Sequence, residues 1–258
     1  MNQHPPTALV TGASSGLGET FARALARRGY RVLLAARRKR RLEELAREMG
    51  NAEALPADLS LDEDVRRLER RIAAEPRLDI LVNNAGFGVP GRFHEAGIED
   101  IDRMHRVHVL AVERLTHAAL GGMVRRGEGG IINVSSVAGL FHTLNSTAYC
   151  STKAWTIHFT EGLYLELRSI GSPVRVQALC PGFTVTEFHD VIGMDRSLIH
   201  KRLWMRAEDV VGESLRGLEA NRLLVIPGWQ YRLFVGLTRC MPRRLRHRIA
   251  IQMGDPRT

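Results

Sequence analysis

The feature that most constrains this chain is the regular alternation of short apolar runs with helical patterns along nearly its whole length. TALV precedes a helix pattern through Phe21–Arg28, RVLLA one through Leu42–Met49, and ALPA a charged helix from Leu61. The series continues with DILVNNAG, a long helix across roughly 100–124, IINVSS, a helix from about Ala148 to Ser169, VRVQALC, a helix near 208–220 and LLVIPG. The apolar runs barely alternate in polarity, which marks strands buried on both faces of a parallel sheet. An α/β fold with a doubly wound parallel sheet is expected.

At 258 residues the chain is near the upper limit for one hydrophobic core. One domain over 1–228 is expected, followed by an amphipathic extension, 229–258, whose two helices break at Pro242. Segment 183–206 follows the Pro181–Gly182 break and is long and weakly patterned, so it reads as a substrate loop or lid.

Hydrophobic residues at 44% and charged residues at 25% exclude a disordered chain. No apolar run approaches the roughly 20 residues of a spanning helix. The start, MNQHPPTALV, lacks the features of a secretion signal, so a cytoplasmic location is expected. Three scattered cysteines and histidines without an HExxH pattern give no expectation of a disulfide framework or a metal. The net charge of +9 raises nucleic acid or anionic membrane as partners. Acidic residues interleave with ARRGYR, RRKRR and RRLERR, however, which reads as solvated helix faces. Only PRRLRHR lacks acidic neighbours. No nucleic-acid partner is expected. For 229–258, packing over the cleft or a subunit interface is favoured over peripheral membrane contact.

The first strand runs into TGASSGLG, Thr11 to Gly18, and a helix follows. Gly12, Gly16 and Gly18 permit a sharp turn and close approach, while Ser14, Ser15 and Leu17 complete a loop whose N–H groups suit a pyrophosphate. In this strand–turn–helix context a Rossmann-type dinucleotide site is expected. The second strand ends in LLAARRKR, with Ala36 at the usual acidic position and Arg37 next. Arginine pairs with a 2′-phosphate that a carboxylate would repel, so NADP is favoured over NAD, with Ser14 placed to assist. The alternative is that Arg37 merely opens a basic helix.

In NSTAYCSTKAW, Tyr149 and Lys153 stand four apart on one helical face. The plain reading is a half-buried tyrosine with a lysine snorkelling beside it. The chemical reading is that the ammonium lowers a phenol pKa that is ordinarily near 10.

TGASSGLG, NNAG at 83–86, a serine, YCSTK at 149–153 and PG at 181–182 occur in the order found in the classical short-chain dehydrogenases/reductases, which the chain resembles over about 7–227. The resemblance implies one Rossmann-type domain, carbonyl–alcohol interconversion with a nicotinamide dinucleotide, and a homodimer or homotetramer. It assigns Tyr149 as general acid/base, Lys153 to the nicotinamide ribose, and Ser136 to the substrate oxygen, since Ser136 leads Tyr149 by thirteen residues; Ser135 is then structural. It assigns Asp58 and Leu59 to the adenine edge and Asn83, Ala85 and Gly86 to the adenosine side, although Asn83 equally suits a role joining strands. Pro181, Gly182, Thr184 and Thr186 would surround the nicotinamide, or either threonine would cap a helix.

One position departs from the pattern. The family usually has asparagine, holding a water of the proton path, where this chain has His108. A histidine there binds such a water, relays a proton, or simply packs.

The expected activity is reversible reduction of a ketone or aldehyde by NADPH. A small, mainly apolar substrate is expected because Phe87, Phe141, Phe183, Phe188 and Trp204 lie in segments bordering the cleft. The alternatives are a dinucleotide-binding regulator that has lost its chemistry and a basic protein associated with membrane or nucleic acid.

Overall fold

The computed structural model describes residues 5–187 and 199–253, so Phe188 and the middle of the expected substrate loop lie outside the described residues. The alternation expected from the sequence is observed. The elements are β1 (Thr7–Thr11), α1 (Gly16–Arg27), β2 (Arg31–Ala36), α2 (Lys39–Met49), β3 (Ala52–Pro56), α3 (Asp62–Ala73) and β4 (Leu78–Asn83). Then come α4 (Ile98–His105), α5 (Ala111–Arg126), β5 (Gly130–Val134), α6 (Thr147–Ser169), β6 (Arg175–Leu179), α7 (Ala207–Glu219) and β7 (Leu224–Val225). The last two helices, α8 (Trp229–Cys240) and α9 (Arg243–Met253), meet at Pro242. No helix among the described residues is long and apolar enough to cross a membrane.

The sheet has the order β3-β2-β1-β4-β5-β6-β7 and every pair is parallel. Successive strand residues feed opposite faces, which is why the strands read as continuous apolar runs. Ala8, Val10 and Leu34 pack with Phe21, Leu25 and Leu215 on one face. Leu9, Leu33 and Leu81 pack with Leu115 and Met123 on the other. Burial of each such side chain contributes about 1.5–3 kcal/mol.

The long helix expected across 100–124 is present, running unbroken through α4 and α5, but it is not α-helical throughout. Between α4 and α5 lies a π-helical turn, Arg106–Leu110. A π turn adds a residue to one turn of helix and so rotates the faces that follow. His108 sits in this turn with only 1% of its surface exposed.

The strand order reverses between β1 and β4, whose carboxyl ends open into a common crevice. Ligands bind at such switch points in open α/β sheets.

Candidate active site

The turn from β1 to α1 forms one wall of the crevice. Gly12 has a φ of +66°, and a Cβ there would lie 2.8 Å from Asn84 Nδ2 and 2.9 Å from Ala85 Cα. Only glycine permits that approach. Thr11 fastens the two loops together: its Oγ1 accepts from the Asn84 and Ala85 N–H groups at 2.9 and 3.0 Å and contacts the Val82 carbonyl at 3.3 Å. Asn84 Nδ2 donates to the Thr11 carbonyl at 2.9 Å. The first N–H groups of α1 have no acceptor within the helix, and the Ser15 side chain does not cap them. They face the cleft that Gly12, Ser14, Ser15, Gly16 and Leu17 line. A narrow glycine cradle with unclaimed donors at a helix N-terminus fits the pyrophosphate of a dinucleotide.

At the far end of the cleft, β2 delivers two arginines. Arg37 and Arg38 both line it. Arg38 Nε donates to Ser14 Oγ at 3.0 Å and Nη2 to the Ser14 carbonyl at 2.9 Å, while Nη1 lies 3.1 Å from Glu187 Oε2. Across from them, Asp58 accepts from the Ser60 N–H at 2.9 Å and from Ser60 Oγ at 2.7 Å. Burial pushes the Asp58 carboxyl upward, but those bonds and the charges of Arg37 and Arg103 bring it below its ordinary value. Two guanidinium groups beside a serine hydroxyl are the donor set a 2′-phosphate requires.

The opposite wall comes from β5 and α6. Ser136 follows β5 and caps the 3₁₀ turn Val137–Gly139, its Oγ accepting from the Ala138 N–H at 3.1 Å. Tyr149 and Lys153 occupy the first turns of α6 on one face, and the Lys153 Nζ lies 5.7 Å from the Tyr149 ring centroid. Ser135 Oγ donates to the Lys153 carbonyl at 2.7 Å, and Lys153 Nζ donates to the Val134 carbonyl at 2.9 Å. These bonds fix α6 against the end of β5.

The electrostatics reverse one expectation. Burial raises the Tyr149 phenol above its ordinary value, opposed by a hydrogen bond with the Ser136 hydroxyl. Lys153 is itself buried, which lowers it to about 8. The ammonium that was expected to make the phenol more acidic is thus destabilised by the same burial that makes the phenol less acidic. At neutral pH Tyr149 holds its proton.

His108 takes the packing role among those open to it. Its Nε2 accepts the Phe87 N–H at 3.0 Å, so the ring proton sits on Nδ1, which contacts Thr152 Oγ1 at 2.9 Å. Thr152 Oγ1 in turn donates to the Tyr149 carbonyl at 2.9 Å. Burial first, and then the charges of Lys153 and His105, hold the imidazole well below its usual value. Both ring nitrogens are engaged and the ring is neutral.

Of the residues singled out in the sequence, Gly12, Ser14, Ser15, Gly16, Leu17, Arg37, Asp58, Leu59, Ala85, Gly86, Ser136, Tyr149, Lys153, Pro181, Gly182, Thr184 and Thr186 line this one cleft. Gly18 and Asn83 do not. A Cβ at Gly18 would collide with the Gly12 carbonyl, so Gly18 packs beneath the turn. Asn83 is buried between strands, donating to Thr116 Oγ1 at 3.0 Å and Asn133 Oδ1 at 2.9 Å. Phe87 lines the cleft, whereas Phe141 packs on Phe234 and Phe183 on Trp204 in a cluster under α8. Sequence reading missed Arg38, Asn84 and Thr11. Arg38 was hidden inside a basic run read as a helix face; its place directly after a strand that ends at the cleft was the available signal.

The family model described as short chain dehydrogenase matches residues 6–196. Nodulation protein G of Rhizobium sp. (strain N33) is 40% identical over 185 residues, which covers 71% of this chain and 75% of that protein. The NADP-dependent 3-hydroxy acid dehydrogenase YdfG of Escherichia coli (strain K12) is 37% identical over 192 residues, again 71% of this chain and 75% of that one. Among solved structures, a short-chain dehydrogenase from Sphingobium yanoikuyae in complex with NADPH superposes with a TM-score of 0.82 at 35% identity, covering 92% of this chain and 97% of that one.

Proposed function

The chain belongs to the short chain dehydrogenase family, and on that footing we propose that it is an NADP(H)-dependent oxidoreductase that interconverts a ketone or aldehyde with the corresponding alcohol. The observation that carries this reading is the convergence of Ser136, Tyr149 and Lys153 on the wall of the cleft opposite the glycine cradle. The cofactor supplies the hydride when bound. Ser136 Oγ orients the substrate oxygen by a hydrogen bond. Tyr149 donates the proton that this oxygen needs as it gains charge, and the protonated state that burial favours suits the direction of carbonyl reduction. Lys153 holds the ribose hydroxyls and, with a value of about 8, carries its charge at neutral pH. Gly12, Ser15, Gly16 and Leu17 hold the pyrophosphate, Arg37 and Arg38 with Ser14 the 2′-phosphate, and Asp58 and Leu59 the adenine. Pro181, Gly182, Thr184 and Thr186 border the nicotinamide end.

The apolar surroundings contributed by Phe87 favour a small, mainly apolar carbonyl substrate, and a homo-oligomer is the working assembly proposed from the family. The names of YdfG and of the Sphingobium complex support the choice of NADP. The test is a screen of ketones and alcohols, followed by absorbance of the reduced nicotinamide with either cofactor. Turnover with NADPH that disappears in Tyr149→Phe, with cofactor affinity retained, supports the proposal. Unchanged turnover in that variant refutes the acid role.

A further inference from the structure

Helix α8 is amphipathic in an unusual direction. Tyr231 and Val235 are buried, yet Trp229, Leu233 and Leu237, at i, i+4 and i+8 on another face, are 65%, 55% and 61% exposed. Leu245 and Ile251 of α9 add 47% and 67% exposed apolar surface beyond the bend at Pro242. The charge around this patch is one-sided. Residues 229–253 hold six arginines and no aspartate or glutamate. Several arginines elsewhere are neutralised in place, as Arg41 is by Glu19, Arg71 by Glu53 and Glu75, and Arg114 by Glu69. In the C-terminal pair Arg232 meets Glu213, but Arg239, Arg243, Arg244 and Arg248 have no acidic partner among the described residues.

We propose that α8 and α9 dock the protein on an anionic lipid bilayer, with the Trp229–Leu233–Leu237 stripe entering the headgroup boundary and the unpaired arginines facing acidic headgroups. An interfacial helix needs both components: an apolar face to enter the boundary and cations to meet anionic lipid. A polyanion such as nucleic acid satisfies the cations and leaves the stripe in water. A second copy covers the stripe but, in a symmetric pairing, sets the unpaired arginines against their own kind. The proposal is independent of the chemistry in the cleft.

The test is sedimentation of the full-length protein with vesicles of phosphatidylcholine alone or mixed with phosphatidylglycerol. The protein is expected to pellet with the mixed vesicles and to stay in solution with phosphatidylcholine. Replacing Arg243, Arg244 and Arg248 by Gln is expected to weaken partitioning roughly a hundredfold, from the usual contribution of a basic residue near such a surface. The same number of charges removed at Arg27, Arg47 and Arg70 is expected to change it only a few-fold. Leu233→Ser with Leu237→Ser, both at exposed positions, is expected to weaken partitioning at least tenfold while leaving the molar mass in solution unchanged. Absence of pelleting, equal losses from the two arginine sets, or partitioning indifferent to the leucine changes would overturn the proposal. So would a halved molar mass in the leucine variant, which would make the face a subunit interface.

Discussion

His108 and Thr152 are joined by a contact of 2.9 Å between Nδ1 and Oγ1, which ties the π-helical turn to the helix that carries Tyr149 and Lys153. The other ring nitrogen holds the Phe87 N–H. One neutral side chain therefore links the NNAG loop to helix α6. Gly86 leaves room for it, since a Cβ there would lie 2.6 Å from His108 Nε2.

From this arrangement, His108 contributes no ionisation to activity between pH 6 and 8. Because its value is held well below 6.5, its protonation falls outside that window. His108→Asn is expected to leave the shape of the kcat/KM profile unchanged there. It is expected to lower stability by about 1–3 kcal/mol, since a shorter side chain cannot satisfy both Phe87 and Thr152. A profile inflection present in the parent and absent in the variant would show that the ring titrates.

Lys153 makes the stability of the fold depend on pH in a definite direction. Its value falls from 10.5 to about 8 on burial, so between these limits the unfolded chain holds more protons than the folded one. The cost of burying the ammonium is complete below pH 8 and fades as pH rises toward 10.5. Lys153→Met removes this cost. Its advantage over the parent in urea unfolding should be about 2 kcal/mol larger at pH 7.5 than at pH 9.5. An advantage that does not vary with pH would contradict the assignment.

Arg37 and Arg38 make separable predictions for cofactor choice. Arg37→Asp places a carboxylate where a 2′-phosphate would lie, and binding of NADPH is expected to weaken about tenfold to a hundredfold with little loss for NADH. Arg38→Ala also frees Ser14 and Glu187, so it should weaken NADPH binding and increase protease sensitivity near residue 187. Fluorescence titration with each cofactor checks the first claim, and limited proteolysis the second. Equal losses for both cofactors would mean that neither arginine reads the phosphate.

Asn83 is expected to act on stability rather than on cofactor affinity. Asn83→Ala leaves Thr116 and Asn133 without their donor inside the sheet, at a cost of about 1–3 kcal/mol. Thermal unfolding should fall by roughly 2–4 °C for each kcal/mol. Cofactor affinity that drops tenfold with unchanged melting would place Asn83 in the site instead.

What the sequence makes legible depends on local rules. The strand–helix alternation, the glycine turn and the Tyr149–Lys153 spacing each follow from short-range periodicity, and the fold reproduces them. Arg38 was not legible because a basic run looks alike whether it faces solvent or bends back over a loop 24 residues away. The π turn at His108 was not legible because nothing in the local spacing marks it, and the partners of its ring lie 21 and 44 residues away. The direction of the Tyr149 shift was missed for a related reason: spacing reports the nearness of a charge, while burial is a property of the assembled core.

The hydroxyl of Tyr231 accepts the Phe183 N–H at 2.9 Å and donates to the Leu203 carbonyl at 2.6 Å. A single phenol thus ties Phe183 to Leu203. Thr184 and Thr186, which line the cleft, follow directly on one end of this tether. Loss of that one hydroxyl would release both ends together and loosen this rim of the cleft, while the glycine cradle, held by Thr11 and Asn84, would keep its shape.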